Sequence, residues 1–441
     1  MRKNGKNNLA LVDFIARTSW FFHVEPEFKG WSIVLVISTI FTLLTLKFDD
    51  PTIGIVTAAL AAASVLQSLR EWLKKARHSD RLKLMPESPS RLATSYEGDY
   101  QNWRVVGEPK LLRWLALGEN NSTIGGGASW HHVITQMQLN AQLRHNRRVD
   151  VDIAEGIDSQ WVPGDPAYEI WKQWGGRRYN RSELKIRLAS DLLPDSRKVT
   201  VQTTDYNAYI VTNNLALEQI NEQTERGDRP VLTFADVGLH CGRIRELHTS
   251  RLSNHLGGDL LLVEPGEVKI QLHSRYNKVF PENWAASASG SFDHADLLKK
   301  GDNLTDLVKR ALARELHEEM RPLNERETKW RRERPRVEPD DVIITGYSRA
   351  TYTGGKPQFY GVARSPERLI DPDEVYVRSF RSLEFSTAEG GKSLVAALKK
   401  FLSENYAQAS PSLIYSVWML DDWLSTDSRG AESWLGKYWH Q

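Results

Sequence analysis

The sequence predicts a chain in two parts: an N-terminal two-helix membrane hairpin and a C-terminal α/β sandwich, with an α+β extension before the sandwich. Three observations carry this reading. Two charge-free runs, Gly30 to Leu46 and Pro51 to Leu69, are separated only by Lys47-Phe48-Asp49-Asp50. Beyond residue 238, strand-like and helix-like stretches follow one another around Pro and Gly turns. One of those helices, Asn303 to Met320, combines an apolar stripe with a cluster of carboxylates.

Each apolar run is close to the roughly 17–25 residues that span a bilayer. A buried soluble helix is the alternative, but two such runs joined by so short a connection favour a hairpin. Arg2, Lys3, Lys6, Arg17 and Lys29 precede it, and Arg70, Lys74, Lys75, Arg77, Arg81 and Lys83 follow it. Basic flanks stay on the cytoplasmic side, so both ends are expected in the cytoplasm and the acidic connection outside. Trp31 and Trp72 suit the interface. Leu9 to Phe22 has a helical apolar rhythm that suits the membrane surface. A cleaved signal peptide fits poorly, because the first apolar run starts only at Gly30 and a second follows at once. The Ala-rich second run (Ala58, Ala59, Ala61, Ala62, Ala63) offers a small-residue face for self-association.

The expected divisions are an N-terminal segment 1–29, the hairpin 30–72, a basic linker 73–98, an extension 99–237 and the sandwich with its C-terminal helices 238–441. With 58 Lys+Arg against 56 Asp+Glu, the chain is not a globally basic nucleic-acid coat, and no DNA partner is expected. The lone Cys241 excludes an internal disulfide and a cysteine-rich zinc site, which fits a reducing compartment. In the extension, Lys110 to Leu117 is apolar-rich, Gly125-Gly126-Gly127 marks a loop, and Lys198 to Thr212 alternates like a strand. Ile153, Trp161, Trp171 and Trp174 are read as buried positions, and Leu215 to Glu222 as the start of a helix. His131-His132 and His240-Cys241 read as ordinary loop or core residues, since adjacent ligands suit a metal poorly.

In the sandwich, Asp259 to Val263 is a strand, Pro265-Gly266 a turn, and Val268 to Tyr276 its hairpin partner. Trp284 to Asp293 is a small-residue loop. Asp341 to Ala350 and Gln358 to Ala363 are strands around the Gly354-Gly355 turn, and Leu394 to Asn405 and Ser412 to Leu424 are helices. Between these lies the carboxylate helix. Leu304, Val308, Leu312, Leu316 and Met320 recur every four residues, while Arg314, Glu315, Glu318 and Glu319 lie off that stripe. Glu315 neighbours both Glu318 and Glu319 at helical spacing, and like charges so placed repel. A hard divalent cation such as Mg²⁺ removes that repulsion; a solvated charged face is the plainer reading. Asn303 and Asp306 imitate a capping box. The basic run Lys329 to Arg336 reads as a solvated insertion or a phosphate contact.

Arg314-Glu315-Leu316-His317-Glu318-Glu319 resembles the core of the Nudix box, the metal-binding helix of Nudix hydrolases. The flanks differ: Asp306 stands where the box has Glu, Lys300 where it opens on Gly, and Arg321 where a Gly follows the last Glu. The resemblance covers about Leu256 to Leu402. It implies Glu315, Glu318 and Glu319 as metal ligands and Gly290, with Gly301 as a second candidate, as a backbone position against phosphate. Arg314 is read as a binding-site residue that orients the carboxylates, and Arg275 and Arg349 as ligand-binding residues on strands that face the pocket. In a hydrolase Glu315 and Glu318 would be the catalytic residues. The whole chain resembles the two-transmembrane Nudix-domain effectors of CBASS antiphage systems, the SMODS-associated NUDIX family. That resemblance implies a homo-oligomeric inner-membrane receptor, both termini cytoplasmic, which binds a cyclic di- or trinucleotide and then disrupts the membrane lipid. The rival expectation is a membrane-tethered Mg²⁺-dependent hydrolase of nucleoside diphosphate derivatives.

Overall fold

The computed structural model describes residues 82–86, 95–96, 103–117, 132–157, 184–210, 212–216, 218–233, 239–240, 243–275, 280–297, 302–322, 337–365, 369–372 and 377–436. The expected hairpin, the surface helix Leu9 to Phe22, the glycine loop 125–127, Trp161, Trp171, Trp174, Cys241, Gly301 and the basic run 329–336 lie outside them. No described helix is long and apolar enough to cross a membrane.

Strands β1 (Leu82–Pro86), β2 (Ser95–Tyr96) and β3 (Trp103–Val106) lead into helix α1 (Glu108–Trp114), which opens on a proline in its first turn. Then come β4 (Val133–Gln136), α2 (Met137–Arg144), β5 (Asp150–Ile157), β6 (Leu184–Leu188), β7 (Lys198–Asp205) and α3 (Tyr206–Ile210). Short strands β8 (Glu218–Thr224), β9 (Gly227–Thr233), β10 (Leu239–His240) and β11 (Arg243–Ile244) follow. The C-terminal half runs β12 (Gly257–Glu264), β13 (Glu267–His273), β14 (Trp284–Ala285), β15 (Ala288–Ser291), α4 (Leu304–Glu319), β16 (Met320–Pro322), β17 (Val342–Ala350), β18 (Lys356–Arg364), β19 (Leu369–Pro372) and β20 (Val377–Glu384). Helices α5 (Gly390–Asn405), α6 (Pro411–Thr426) and α7 (Ser428–Gly436) close it.

The chain divides into two compact units. The first comprises residues 1–83, 161–174 and 220–231; its described part lies in the small sheet β1-β8-β9. The second is an α/β sandwich around a mixed sheet ordered β14-β13-β12-β18-β17-β4-β3, to which β15 and β20 also pair. The residues read as an extension therefore continue this sheet: β4 pairs antiparallel with β17, and β3 with β4.

Both faces of the sheet are covered, so its central strands are apolar on consecutive positions rather than alternate ones. On β12, Leu261 and Val263 pack with α5 and α6, while Leu260 and Leu262 pack with α4. The second core also holds Ile186, Leu188, Val199 and Val201 of the sheet β5-β7-β6. The Gly354-Gly355 turn between β17 and β18 needs two residues at positive φ, +64° and +83°, which glycine adopts at little cost.

Helix α4 begins as its sequence indicates. Asn303 Oδ1 accepts from the Thr305 amide at 3.1 Å, capping the first turn, and from the Val149 amide at 3.2 Å. The stripe Leu304, Val308, Leu312 and Leu316 is fully buried, but Met320 belongs to β16. Leu312 fits where Gly258 and Gly361 leave the sheet bare; a Cβ there would lie 2.5 and 2.9 Å from its methyl carbons.

Three sequence expectations need correction. Trp284 to Asp293 is not a loop: it forms β14 and β15, and β15 pairs antiparallel with β12 from Gly257↔Ser291 to Leu260↔Ala288. Leu215 to Glu222 does not begin a helix; a short 3₁₀ turn ends there and β8 starts. Ile153 is 40% exposed, because β5 is an edge strand and the side chain points off the core.

Truncating Leu312 leaves a hole that neither glycine strand can fill. Leu312→Ala is expected to lose about 2–5 kcal/mol in urea denaturation; a loss under about 1 kcal/mol would show that α4 does not anchor the sheet.

Candidate functional site

The last turn of α4 carries Glu315, Glu318 and Glu319. Acidic side chains at a helix C-terminus oppose its dipole, at about 0.3–1 kcal/mol each. The fold adds two more carboxylates there. Asp293 and Asp296 cap a 3₁₀ turn just before α4, with the Asp293 amide donating to Asp296 Oδ2 at 2.8 Å.

Arg314 joins this set. Its Nε and Nη2 donate to the two oxygens of Asp296 at 2.8 and 2.9 Å. Nη2 also donates to Glu315 Oε1 at 2.9 Å and to the Ser291 carbonyl at 3.3 Å. Nη1 donates to Glu318 Oε2 at 2.9 Å and lies 3.5 Å from Asp293 Oδ2. Burial opposes its charge, but Glu315 and Asp296 outweigh burial and raise its pKa. Lys185 pairs with Asp293 from β6.

Glu315 is buried, and burial pushes its carboxyl up from 4.5 to about 7 against the opposing pull of Arg314. Gly290 makes room for it: a Cβ on residue 290 would sit 2.0 Å from the Glu315 carboxyl carbon. Glu319 is also buried, and its Oε2 accepts from Gln271 Nε2 at 3.0 Å and from the Ser289 amide at 3.2 Å. Gln271 Oε1 is buried with no partner among the described residues. Glu318 is half-exposed, its carboxylate at the open side.

These residues suit a hard divalent cation. The donors are carboxylate and amide oxygens, the set preferred by Mg²⁺ or Mn²⁺ over zinc. Gln271 Oε1 is an oxygen without a hydrogen-bond donor, and Gly290 keeps clear the space around Glu315. Glu315, Glu318 and Glu319 would hold the ion; bound, it would neutralise phosphate charge and polarise water. Among the described residues, the acidic and imidazole groups that bring three ligand atoms within 4.8 Å of one another are Asp191, Glu246 and His248, not the three glutamates of α4. Asp191, however, takes Arg349 Nη1 on Oδ1 at 2.9 Å and the Leu247 amide on Oδ2 at 2.9 Å, which accounts for it as an anchor.

The structure brings Gly290, Arg314, Glu315, Glu318 and Glu319 together, but not the other two arginines. Arg349 is buried and directed elsewhere, donating to Asp191, the Arg245 carbonyl and the Gly355 carbonyl. It braces the turn between β17 and β18. Arg275 lies in the turn beyond β13, not on the strand, and is exposed. Asp306 is exposed on the first turn, where it accepts from Asn303 Nδ2 at 3.3 Å. Sequence reasoning missed Asp293, Asp296, Lys185, Gln271 and Ser289. The Asp293-x-x-Asp296 spacing was a readable turn signal; the contacts across more than a hundred residues were not.

No protein-family model matches the chain, and no curated protein matches its sequence. Among solved structures it is similar to DR0079 from Deinococcus radiodurans, at 15% identity over 37% of this chain and 81% of that one, with a TM-score of 0.24. It is also similar to Tm1382, which carries a provisional assignment as a Nudix hydrolase, at 13% identity over 38% of this chain and 70% of that one, again with a TM-score of 0.24.

Because Glu315 has a higher pKa folded than unfolded, the folded state binds more protons between pH 4.5 and about 7. In metal-free protein its contribution to stability is present at low pH and lost as pH rises through about 7. Glu315→Gln, measured by urea denaturation in EDTA, is expected to remove that slope and to exceed wild type at pH 8 by on the order of 1–3 kcal/mol. Parallel pH profiles would contradict the burial argument.

Proposed function

We propose that the end of α4 binds a nucleotide phosphate through a divalent cation, in a Nudix-like domain that recognises its ligand rather than consuming it. The observation that carries this is Glu315: a buried carboxylate fitted against Gly290, with Glu318 and Glu319 beside it and Arg314 fixing it. Bridging a phosphate to three carboxylates needs a cation between them. Arg314 orients two of the three glutamates through charge-assisted hydrogen bonds. Glu319 is held by Gln271 and the β15 backbone, so its oxygens are placed before any ion arrives.

Within this proposal the chain is the membrane effector of a cyclic-oligonucleotide (CBASS-type) antiphage defence. The charge-free runs Gly30 to Leu46 and Pro51 to Leu69, with basic flanks, support a membrane hairpin with both ends cytoplasmic. A ligand that binds one oligomeric arrangement better shifts the population of hairpin assemblies by that difference in affinity. Membrane damage then follows from assembly, without turnover.

A second reading, hydrolysis of a nucleoside diphosphate derivative, has one observation in its favour. Glu315, at about 7, is poised near neutrality as a general base would be. Against it, Arg314 occupies Glu315, and Asp306, where the Nudix box has its upstream acid, is turned to Asn303.

Titrating the full-length chain with cyclic di- and trinucleotides in Mg²⁺ is expected to show binding that weakens about tenfold or more in Glu318→Gln and Glu319→Gln. Ligand should also release dye from vesicles holding the protein. Mg²⁺-dependent cleavage of nucleoside diphosphate derivatives, abolished by the same substitutions, would establish the hydrolase instead. Neither binding nor cleavage would reduce the glutamate cluster to a charged helix face.

A further inference from the structure

Beside the glutamate end of α4, across β15, lies a set of buried groups that the cation site does not use. Lys356 opens β18 and is 9% exposed. Its ammonium has three hydrogens to donate, yet its hydrogen bond among the described residues is a long one, 3.3 Å to Gln358 Oε1. It lies 5.1 Å over the Tyr209 ring. The neighbouring acids Asp259 and Glu315 attract it through space without a hydrogen bond to it among the described residues; Asp259 accepts from Ser289 Oγ at 2.7 Å and Gln358 Nε2 at 2.5 Å. Next to it, His255 is fully buried, with Nε2 2.9 Å from Ser291 Oγ and Nδ1 without a partner among the described residues. The His255 ring lies 4.2 Å from that of Tyr209 and 6.1 Å from that of Tyr206, the most exposed of the three.

We infer that Lys356 and His255, walled by Tyr206 and Tyr209, form a metal-independent subsite for a phosphate group of the nucleotide. The inference rests on the nucleotide reading above and adds where a phosphate not held through the cation is received. Burying an ammonium with one long hydrogen bond for its three donors is costly, since a buried donor left unmade carries its desolvation penalty. A phosphate oxygen accepting from Lys356 Nζ removes that cost with a charge-assisted bond. When Ser291 donates to His255 Nε2, Nδ1 carries the hydrogen and is a second donor to the same anion. Burial lowers the Lys356 pKa to about 8, which leaves it mainly charged at neutral pH, and lowers that of His255 further with help from Lys356 and Lys185. An arriving anion would offset the repulsion between Lys356 and Lys185.

The subsite and the cation site share one strand. Ser291 bonds His255 through Oγ and Arg314 through its carbonyl. Gly290 borders Glu315, and Ser289 bonds Asp259 through Oγ and Glu319 through its amide. A ligand with two phosphate groups therefore meets two kinds of receptor on the two sides of β15: carboxylates that need a cation, and buried N–H donors that need an anion.

The test is calorimetric titration of the full-length chain with inorganic phosphate in EDTA, which silences the cation site. Wild type should bind, and Lys356→Met should bind about tenfold more weakly or worse, while Lys400→Met, on the exposed face of α5, should match wild type. If Lys356→Met fails to fold, Gly257→Ala decides: its Cβ would lie 2.4 Å from Lys356 Nζ and 2.3 Å from Gln358 Oε1, so it displaces the ammonium without removing the charge, and it should weaken phosphate binding too. Replacing phosphate by AMP should strengthen binding if the tyrosine wall takes part. Equal affinity of wild type and the decisive variant, or no binding in EDTA, overturns the subsite. Phosphate binding that survives in EDTA with no added Mg²⁺-dependent component would overturn the cation-site reading instead.

Discussion

One guanidinium holds the site together. Arg314 is the hub for Asp293, Asp296, Glu315 and Glu318, and it draws the turn before α4 onto the end of that helix. Without it, four carboxylates would crowd a surface where the helix dipole already disfavours them. Breaking a partly buried set of charges by removing one partner leaves the others uncompensated, and that is far more costly than losing an exposed ion pair. The arginine makes the acidic cluster tolerable but does not balance it. Even counting Lys185 on Asp293, the cluster, Glu319 included, keeps an excess of negative charge, and the deficit is the physical opening for a divalent cation.

The sandwich supplies the geometry that Arg314 exploits. Leu312 between Gly258 and Gly361 fixes α4 against the sheet, and Gly290 lets β15 pass the Glu315 carboxylate closely. β15 is consequently more than filler. In four residues it contributes an amide to Glu319, a hydroxyl to Asp259, a hydroxyl to His255 and a carbonyl to Arg314. A strand of small residues can do this because each contact comes from its backbone or a short hydroxyl, leaving space for side chains from elsewhere.

Much of the framework is legible in the sequence. The four-residue apolar stripe placed α4, the Asp259 to Val263 run placed β12, and paired glycines placed the turn between β17 and β18. What resisted reading was long-range. Trp284 to Asp293 looked like a loop because Ala, Ser and Gly have low strand preference; its partner, β12, opens on two glycines and accepts such a strand. Arg349 looked like a ligand residue because its strand lay in the right domain, but its partner Asp191 is 158 positions away, and no local pattern announces that pairing. Ile153 looked buried by type alone, and only the edge position of β5 explains its exposure. The glutamates were legible because helical spacing alone brings them together; Asp293 and Asp296 join them through a tertiary contact.

The central claim is that the end of α4 receives a divalent cation because its carboxylates outnumber its cations. Mn²⁺ shares the oxygen preference of Mg²⁺ and can be counted directly. An electron paramagnetic resonance titration of the full-length chain with Mn²⁺ should show saturable binding, competed by Mg²⁺ and lost in the double substitution Glu315→Gln with Glu319→Gln. Mn²⁺ binding that is absent in wild type, or unchanged in the double variant, would contradict the account.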